Sequence, residues 1–445
     1  MKTSRLQRPA KGLLLDLPWW YRPSFFLLGA TLPALLLFAN ADPTLTLSRA
    51  QLFFSSRDTI LGVVAILVLA GGALIGESGF LNRICNRSIP PTGNVIVEGT
   101  RYHNRLPEAF LSQKVDWILM GIFIAAHLIF FRNFLTNPAL IIGVLSGDLG
   151  LKQNFKTIPG ITTWTQVSIL LATIRGLRWS GILPGDVKLI SWFHFLFFAT
   201  LFVRAILWSE RLALIEGVVP FFLCATPKLI RMTGRRGKIL LQLFPIIVPV
   251  LLLAVFIIFE FFRSWQSNSM QHGNIIQFGW LRLFTYYFEA MNTGSATLGI
   301  SGFYNGLTTP ITSGQFLAIY DGLYQGSLDK EFNNPSGIWY LATYTGNLFF
   351  LPVLLLLGLF YGVVWRAFRE GRILGFFFPI VFLGMMEILR IHYWFGTTRV
   401  LASTIVILFL IGWAAFLPSR IRLRRHPATP RQSGESSVPQ PSFSG

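Results

Sequence analysis

The chain has 445 residues, 53% of them hydrophobic and 13% charged, with a formal net charge of +19 and a mean hydropathy of +0.56. A water-soluble globule does not keep so much of its chain apolar, and repeated apolar runs of about 18 residues or more point to a polytopic membrane protein. The basic excess falls mainly in the short segments between those runs, a placement that reads as membrane topology and attraction to anionic lipid, not as a nucleic-acid footprint.

Met1 to Leu17 is basic, and Trp19, Trp20 and Tyr21 follow as an aromatic anchor at the membrane interface. No short apolar core followed by a small-residue cleavage site is visible, so the first span is read as retained. Apolar spans then lie near residues 21–39, 60–77, 115–135, 160–177, 189–208, 211–227, 239–261, 337–365, 373–390 and 400–417. The expectation is an all-α fold of about ten transmembrane helices, within a range of about 10 to 12, forming one transmembrane domain over residues 1–425. With a cytoplasmic N-terminus the inner segments carry about twice as many Lys and Arg residues as the outer ones. The same parity puts the C-terminus in the cytoplasm, where the Pro-, Ser- and Gln-rich residues 426–445 lack the apolar content to fold and are expected to form a disordered tail.

Two connecting segments are long. Gly79 to Gln113 is cytoplasmic by parity; its fragment Asn94 to Glu98 is read as a short strand or interfacial turn, or simply as part of a basic loop facing lipid. The longest connection, residues 263–336, falls on the outer side, and a loop of that length usually serves as a lid or a binding element. Within it Leu281, Phe284, Phe288 and Met291 make an apolar helical face, while Arg282, Tyr286 and Glu289 fall on another face, spanning about 10 Å along the axis. That pattern predicts an amphipathic helix along the outer membrane surface. Its polar face either is simply solvated or roofs a cavity open to the periplasm. The following Gly-, Thr-, Ser- and Asn-rich stretch, Asn292 to Pro310, suits an irregular loop.

Charges inside apolar spans persist only when a partner or a polar task offsets their desolvation. Arg204, Glu210 and Arg211 interrupt a stretch that is otherwise nearly all apolar, from Leu189 to Cys224; Arg263 follows Glu260; Arg390 and Arg399 bracket a short outer turn containing His392. A continuous helix would place Arg204 and Arg211, seven residues apart, on one face. Guanidinium groups suit phosphate because their planar donor fork stays charged and can hold two oxygens at once. Several of them around one wet cavity would fit an anionic head group such as the diphosphate of a lipid-linked sugar. The competing account is structural: Arg211 pairing with Glu210 or Glu216, Arg263 with Glu260, and arginines near span ends snorkelling to the interface.

Other chemistries leave no trace. HExxH, a Walker-type GxxxxGK[ST] and CxxC are absent, and the first outer loop holds only the separated Asp42 and Asp58, not an acidic pair. The two cysteines, Cys85 and Cys224, suggest neither a disulfide framework nor a zinc site. Gly71-Gly72 and other glycines within spans are read as serving close helix packing.

The stretches Lys156 to Gln166 (KTIPGITTWTQ), Phe202 to Pro220 (FVRAILWSERLALIEGVVP), Glu260 to Ser264 (EFFRS) ahead of Arg282 to Tyr287 (RLFTYY), and Tyr344 to Arg366 (YTGNLFFLPVLLLLGLFYGVVWR) together resemble bacterial O-antigen polymerases, also called oligosaccharide repeat-unit polymerases. The resemblance covers roughly residues 115 to 417 and rests on the pattern of spans and scattered residues, with no single diagnostic motif; residues 1 to 114 match no such pattern. It implies a GT-C-like, metal-independent glycosyltransferase of the bacterial inner membrane, with no cofactor. Such an enzyme extends surface polysaccharide in the periplasm from undecaprenyl-diphosphate-linked repeat units. A chain-length regulator and a flippase are the implied partners besides membrane lipid, and nucleic acid is not one.

By position Arg204, Arg211, Arg263, Arg282 and Arg399 would hold the diphosphate, with Arg390 and Tyr286 beside them. Fixed cations there stabilise the charge that builds on the leaving oxygens. The acceptor hydroxyl needs a proton acceptor, for which Glu289 and His392 are favoured over Glu210, Glu216 and Asp321. Two alternatives fit the same residues: an O-antigen ligase, and a flippase or transporter of lipid-linked sugar, for which internal repeats would be expected.

Overall fold

The computed structural model describes residues 17–42, 46–47, 50–79, 113–145, 157–185, 187–208, 210–261, 265, 274–306, 310–329, 331–394 and 397–416. The basic start of the chain, the Asn94 to Glu98 fragment, Arg263 and the 426–445 tail lie outside these residues.

Every regular element among the described residues is helical. In chain order they are α1 (Pro23–Phe26), a π turn (Leu27–Thr31), α2 (Leu32–Ala39), α3 (Ser56–Ser78), α4 (Lys114–Phe130), α5 (Arg132–Thr136) and α6 (Ala139–Leu145). A 3-10 turn (Thr162–Val167) leads into α7 (Ser168–Trp179), followed by α8 (Trp192–Leu207), α9 (Arg211–Gln242), α10 (Phe244–Glu260) and α11 (Ile275–Ile300). The chain closes with α12 (Ser313–Gly326), α13 (Gly337–Arg369), α14 (Phe378–Met386) and α15 (Leu401–Phe416). Three of them, α3, α9 and α13, are long and apolar enough to cross a membrane, and shorter apolar helices accompany them at Pro23–Ala39, Trp192–Leu207, Phe244–Glu260, Ile373–Met386 and Leu401–Gly412. Large apolar side chains such as Ile60, Leu67, Leu356 and Phe409 stand exposed on these helices. A bilayer covers such side chains at no cost, because lipid tails are as apolar as they are.

Among the described residues the most extensive helix contact is between α3 and α13, which run parallel: Gly62 lies by Trp339, Gly72 by Leu355 and Gly76 by Leu359. Gly72/Gly76 on one helix and Gly358/Gly362 on the other are each spaced by four, and a Cβ on any of them would collide with backbone of the partner helix. Small residues at this spacing let two backbones touch, which replaces the hydrophobic driving force that lipid cannot supply. The glycine doublet therefore does serve packing, through Gly72; Gly71 faces open space. Between Trp339 and Leu355 α13 breaks at Gly346 (φ 67, ψ 172), and the Tyr344 carbonyl accepts a bond from the Ile311 N–H at 3.1 Å.

Three expectations are corrected here. Trp20 and Tyr21 are not an interfacial anchor: they are 2% and 0% exposed, with Trp20 Nε1 donating to the Leu241 carbonyl at 2.7 Å and Tyr21 Oη to Thr226 Oγ1 at 2.7 Å. They staple the chain start to α9, since a buried ring NH or OH must find an acceptor, and only Trp19 is substantially exposed. The expected surface helix is longer and deeper, because α11 runs on through the stretch read as an irregular loop as far as Ile300. Its Thr285, Asn292 and Ser295 are buried and spoken for: Leu47 N–H donates to Thr285 Oγ1 at 2.9 Å, Phe53 N–H to Asn292 Oδ1 at 2.7 Å, and Ser295 Oγ to the Phe53 carbonyl at 3.1 Å. Finally, α8 ends at Leu207 and α9 begins at Arg211, so Arg204 and Arg211 do not share one helical face.

Candidate functional site

The break between α8 and α9 organises the charges. Arg204, in the last turn of α8 and 4% exposed, donates through Nε and Nη2 to Glu210 Oε2 at 2.9 and 2.7 Å and through Nη1 to Thr165 Oγ1 at 2.7 Å. Its guanidinium also covers the Phe130 ring at 4.7 Å. Glu210 lies 3.8 Å from the Arg399 guanidinium, which also reaches Glu216 Oε1 at 3.4 Å; Tyr393 Oη donates to that same oxygen at 3.1 Å. Thr165, Arg204, Glu210, Arg399, Glu216 and Tyr393 thus form one polar chain built from three stretches that are distant in sequence, at Thr165, Arg204 to Glu216 and Tyr393 to Arg399.

Next to it stands a second group. Arg211 opens α9 and contacts Glu260 Oε1 at 2.6 Å, while Arg282 of α11 contacts Glu260 Oε2 at 2.6 Å and also pairs with Glu331. Phe256 lies 3.7 Å and Tyr286 5.2 Å from the Arg211 guanidinium, and Tyr286 packs edge-on against Phe332 at 4.7 Å. Because Glu210 and Arg211 are consecutive, the two groups adjoin at one end of the bundle. Arg390 belongs to a separate pair with Glu387 at 2.6 Å.

The structure therefore brings Arg204 and Arg399 together in one group, and Arg211, Arg282 and Tyr286 in the other. It does not produce the expected excess of positive charge: in the two groups four arginines meet the four carboxylates of Glu210, Glu216, Glu260 and Glu331. The physical reason is desolvation, which makes an uncompensated buried guanidinium far more expensive than a paired one. The pairs differ in commitment. Arg399 has the longest contacts of the set and a side chain 22% exposed, and Glu210 is 27% exposed, so of the four guanidiniums Arg399 is the one held most loosely. Burial pushes the Glu210 carboxyl up, yet Arg204 and Arg399 outweigh it and hold it below the usual carboxylate range. It is ionised at neutral pH and a weak base.

Of the two proton acceptors named from sequence, Glu289 is 2% exposed and accepts from Asn292 Nδ2 at 3.1 Å, and that same amide group donates to the Gln51 carbonyl at 2.9 Å. His392 is 3% exposed, its ring stacked near Tyr340 at 6.4 Å, and burial lowers its pKa to about 4, so the imidazole is neutral at pH 7. Asp321 is exposed on α12.

Sequence reasoning missed Thr165, Tyr393 and Glu331, none of which carries a local signal: each is recruited by a partner far along the chain. It also missed a pocket of about 420 Å³ between the start of α3 and the end of α11, lined by Arg57, Asp58, Ser295 and Tyr304 among others. One clue was available there, the Ser55-x-x-Asp58 signature of a helix start. No protein-family model matches the chain, and no curated protein or solved structure matches it either.

Proposed function

We propose that this protein is a glycosyltransferase of the bacterial inner membrane, with about ten GT-C-like spans and both termini cytoplasmic, that polymerises undecaprenyl-diphosphate-linked repeat units on the periplasmic side. The observation that carries the reading is the loosely held Arg399 at the mouth of the Arg204–Glu210–Arg399–Glu216 chain, beside the Arg211–Glu260–Arg282 group.

A diphosphate that reaches Arg399 exchanges its long Glu216 and Glu210 contacts for short bidentate ones, since guanidinium and phosphate match in geometry. Arg204 stays fixed by Glu210 and Thr165, so its charge is oriented before the substrate arrives. As the anomeric C–O bond breaks, negative charge builds on the departing diphosphate oxygens, and cations already in place stabilise that state more than the ground state. The acceptor hydroxyl attacks the anomeric carbon and passes its proton to a base, the role given to the neutral His392 imidazole or to Glu289. Arg263 is proposed as a further contact to the diphosphate, and the polyprenyl tail lies in the bilayer along the exposed apolar faces. Lipid-linked repeat units, a flippase that delivers them and a regulator of chain length are the partners this reading requires.

The test is reconstitution of the purified protein in vesicles with lipid-linked repeat units, followed by gel analysis of the glycan. A ladder of repeat-unit multiples is expected. Transfer of glycan to a lipid A core without a ladder would make the protein a ligase, and movement of the lipid-linked sugar across the vesicle membrane without any transfer would make it a transporter; either outcome overturns the proposal.

A further inference from the structure

Away from the paired arginines, an open pocket lies where the start of α3 meets the end of α11. Asp58, 1% exposed, accepts from Ser55 N–H at 2.8 Å, from Ser55 Oγ at 2.5 Å and from Tyr304 Oη, so three donors already fill its carboxylate. Burial and the bond to Asp58 raise the Tyr304 phenol above its ordinary value, keeping it protonated as that donor. Arg57 is exposed and lies over the Tyr304 ring at 3.8 Å, and among the described residues it forms no ion pair. It differs in this from Arg204, Arg211, Arg282, Arg390 and Arg399. Its guanidinium is held in position by the ring while its donor edge stays available.

The rest of the lining is mixed. Ser55 Oγ donates to Asp58 and accepts from the Asp58 N–H, while Ser295 Oγ donates to the Phe53 carbonyl, which leaves one oxygen lone pair on Ser55 and both on Ser295 to accept from a ligand hydroxyl. Phe53 and Ile300 contribute apolar surface. The volume of about 420 Å³ lies inside the range of small-molecule sites, about 300–1,000 Å³. Ser295 stands thirteen residues beyond Arg282 on α11, about 20 Å along its axis.

We propose that this pocket is a second site that binds an acidic sugar residue of a glycan, with Arg57 holding the carboxylate and Ser55 and Ser295 receiving ring hydroxyls. The anionic preference rests on Arg57; the assignment to a glycan rests on the function proposed above. A cation without a carboxylate partner selects for a negative group. Hydroxyl acceptors beside apolar surface suit a pyranose, which has a polar rim and an apolar face. At this distance from the arginine groups the pocket grips a glycan several sugars away from the diphosphate and so holds the chain while the far end reacts.

The experiment uses the full chain in phosphatidylcholine nanodiscs, with digalacturonate as probe, maltose as the neutral control and inorganic phosphate as the anion without a sugar, read by saturation-transfer NMR and calorimetry. Two variants block the site by different means. Arg57→Gln removes the cation from an exposed position, and Gly299→Trp fills the pocket from a position where an added Cβ meets nothing within 4 Å. Digalacturonate is expected to bind at least tenfold more tightly than maltose or phosphate, to lose about tenfold in affinity in Arg57→Gln, and to lose detectable binding in Gly299→Trp, while Arg399→Lys leaves its binding unchanged. Binding unaffected by both pocket variants, or abolished by Arg399→Lys, overturns the proposal, and phosphate binding as tightly as digalacturonate overturns its sugar part. A protein that binds digalacturonate in this way yet never forms a ladder keeps the pocket and loses the polymerase.

Discussion

Arg211 and Arg282, from helices α9 and α11, share one carboxylate: each lies 2.6 Å from a different oxygen of Glu260, which is 0% exposed. One acidic residue at the end of α10 thus ties three helices together. Glu260→Gln leaves two guanidiniums facing a neutral amide, and breaking a buried pair in this way costs about 3–5 kcal/mol. The expected outcome is a lower thermal midpoint and less folded protein in detergent. Replacing all three residues by Met or Leu of similar volume should restore most of that stability. If the two arginines also serve substrate, the triple variant stays stable and forms no ladder, which separates the two roles in one preparation.

Arg399 is predicted to be the most sensitive position for chemistry. Loss of a fixed cation costs about a hundredfold in rate, and Glu216, 1% exposed, loses the guanidinium that lies 3.4 Å away. Arg399→Gln should therefore lower the initial rate of chain extension by about a hundredfold and also lower the thermal midpoint, the rate being compared per folded molecule. Arg399→Lys should recover only part of it, since the charge stays and the fork is lost. An equal rate in wild type and Arg399→Gln would remove the residue from the site.

Gly71 and Gly72 make a paired test of the α3–α13 contact. A Cβ at Gly72 runs into the Leu355 carbonyl oxygen, while one at Gly71 meets nothing within 4 Å. Gly72→Ala should destabilise by about 1–3 kcal/mol through forced separation of the helices. Gly71→Ala should be neutral or stabilising by up to about 1 kcal/mol, from helix propensity alone. Thermal midpoints of the two variants in the same detergent check the contrast.

His392 gives a pH signature. Burial lowers its folded-state pKa from 6.5 to about 4, so below pH 6.5 the unfolded chain binds a proton that the folded protein refuses. Its contribution is fully present above pH 6.5 and is lost as pH falls from 6.5 toward 4. The thermal midpoint should drop over that window, and His392→Phe should flatten the drop. A drop unchanged in His392→Phe would assign it to other groups.

The long apolar helices α3, α9 and α13 were legible because long apolar runs need no knowledge of tertiary structure. The helix starts at Ser55 and Thr312 carry an equally local signal, a side chain three residues away, that went unread. Other features depend on contacts across the chain. Asn292 to Ile300 reads as a loop because Gly, Thr, Ser and Asn are weak helix formers, yet here their small size lets α11 pack close, with Gly294 against Trp339, and their polar groups hold the segment that precedes α3. The α8–α9 break falls between the spans read near 189–208 and 211–227, and it is the face shared by Arg204 and Arg211 on a continuous helix that fails. The arginines stood out as anomalies inside spans, but their carboxylate partners did not: Glu260 and Glu331 reach Arg282 from either side along the chain, and nothing near Arg282 marks either one.

Charge compensation also follows an order set by synthesis. Arg204 meets Glu210 six positions later, so that stretch reaches the bilayer already neutral. Arg211 waits for Glu260, and Arg282 gains its second carboxylate only with Glu331. Until α10 emerges from the ribosome, α9 carries an unmatched guanidinium at its first position, and a bare charge resists entry into hydrocarbon. With α9 read as a span, its leading end is expected to settle only once α10 arrives, so that Glu260→Gln should impair membrane integration of α9 as well as of α10.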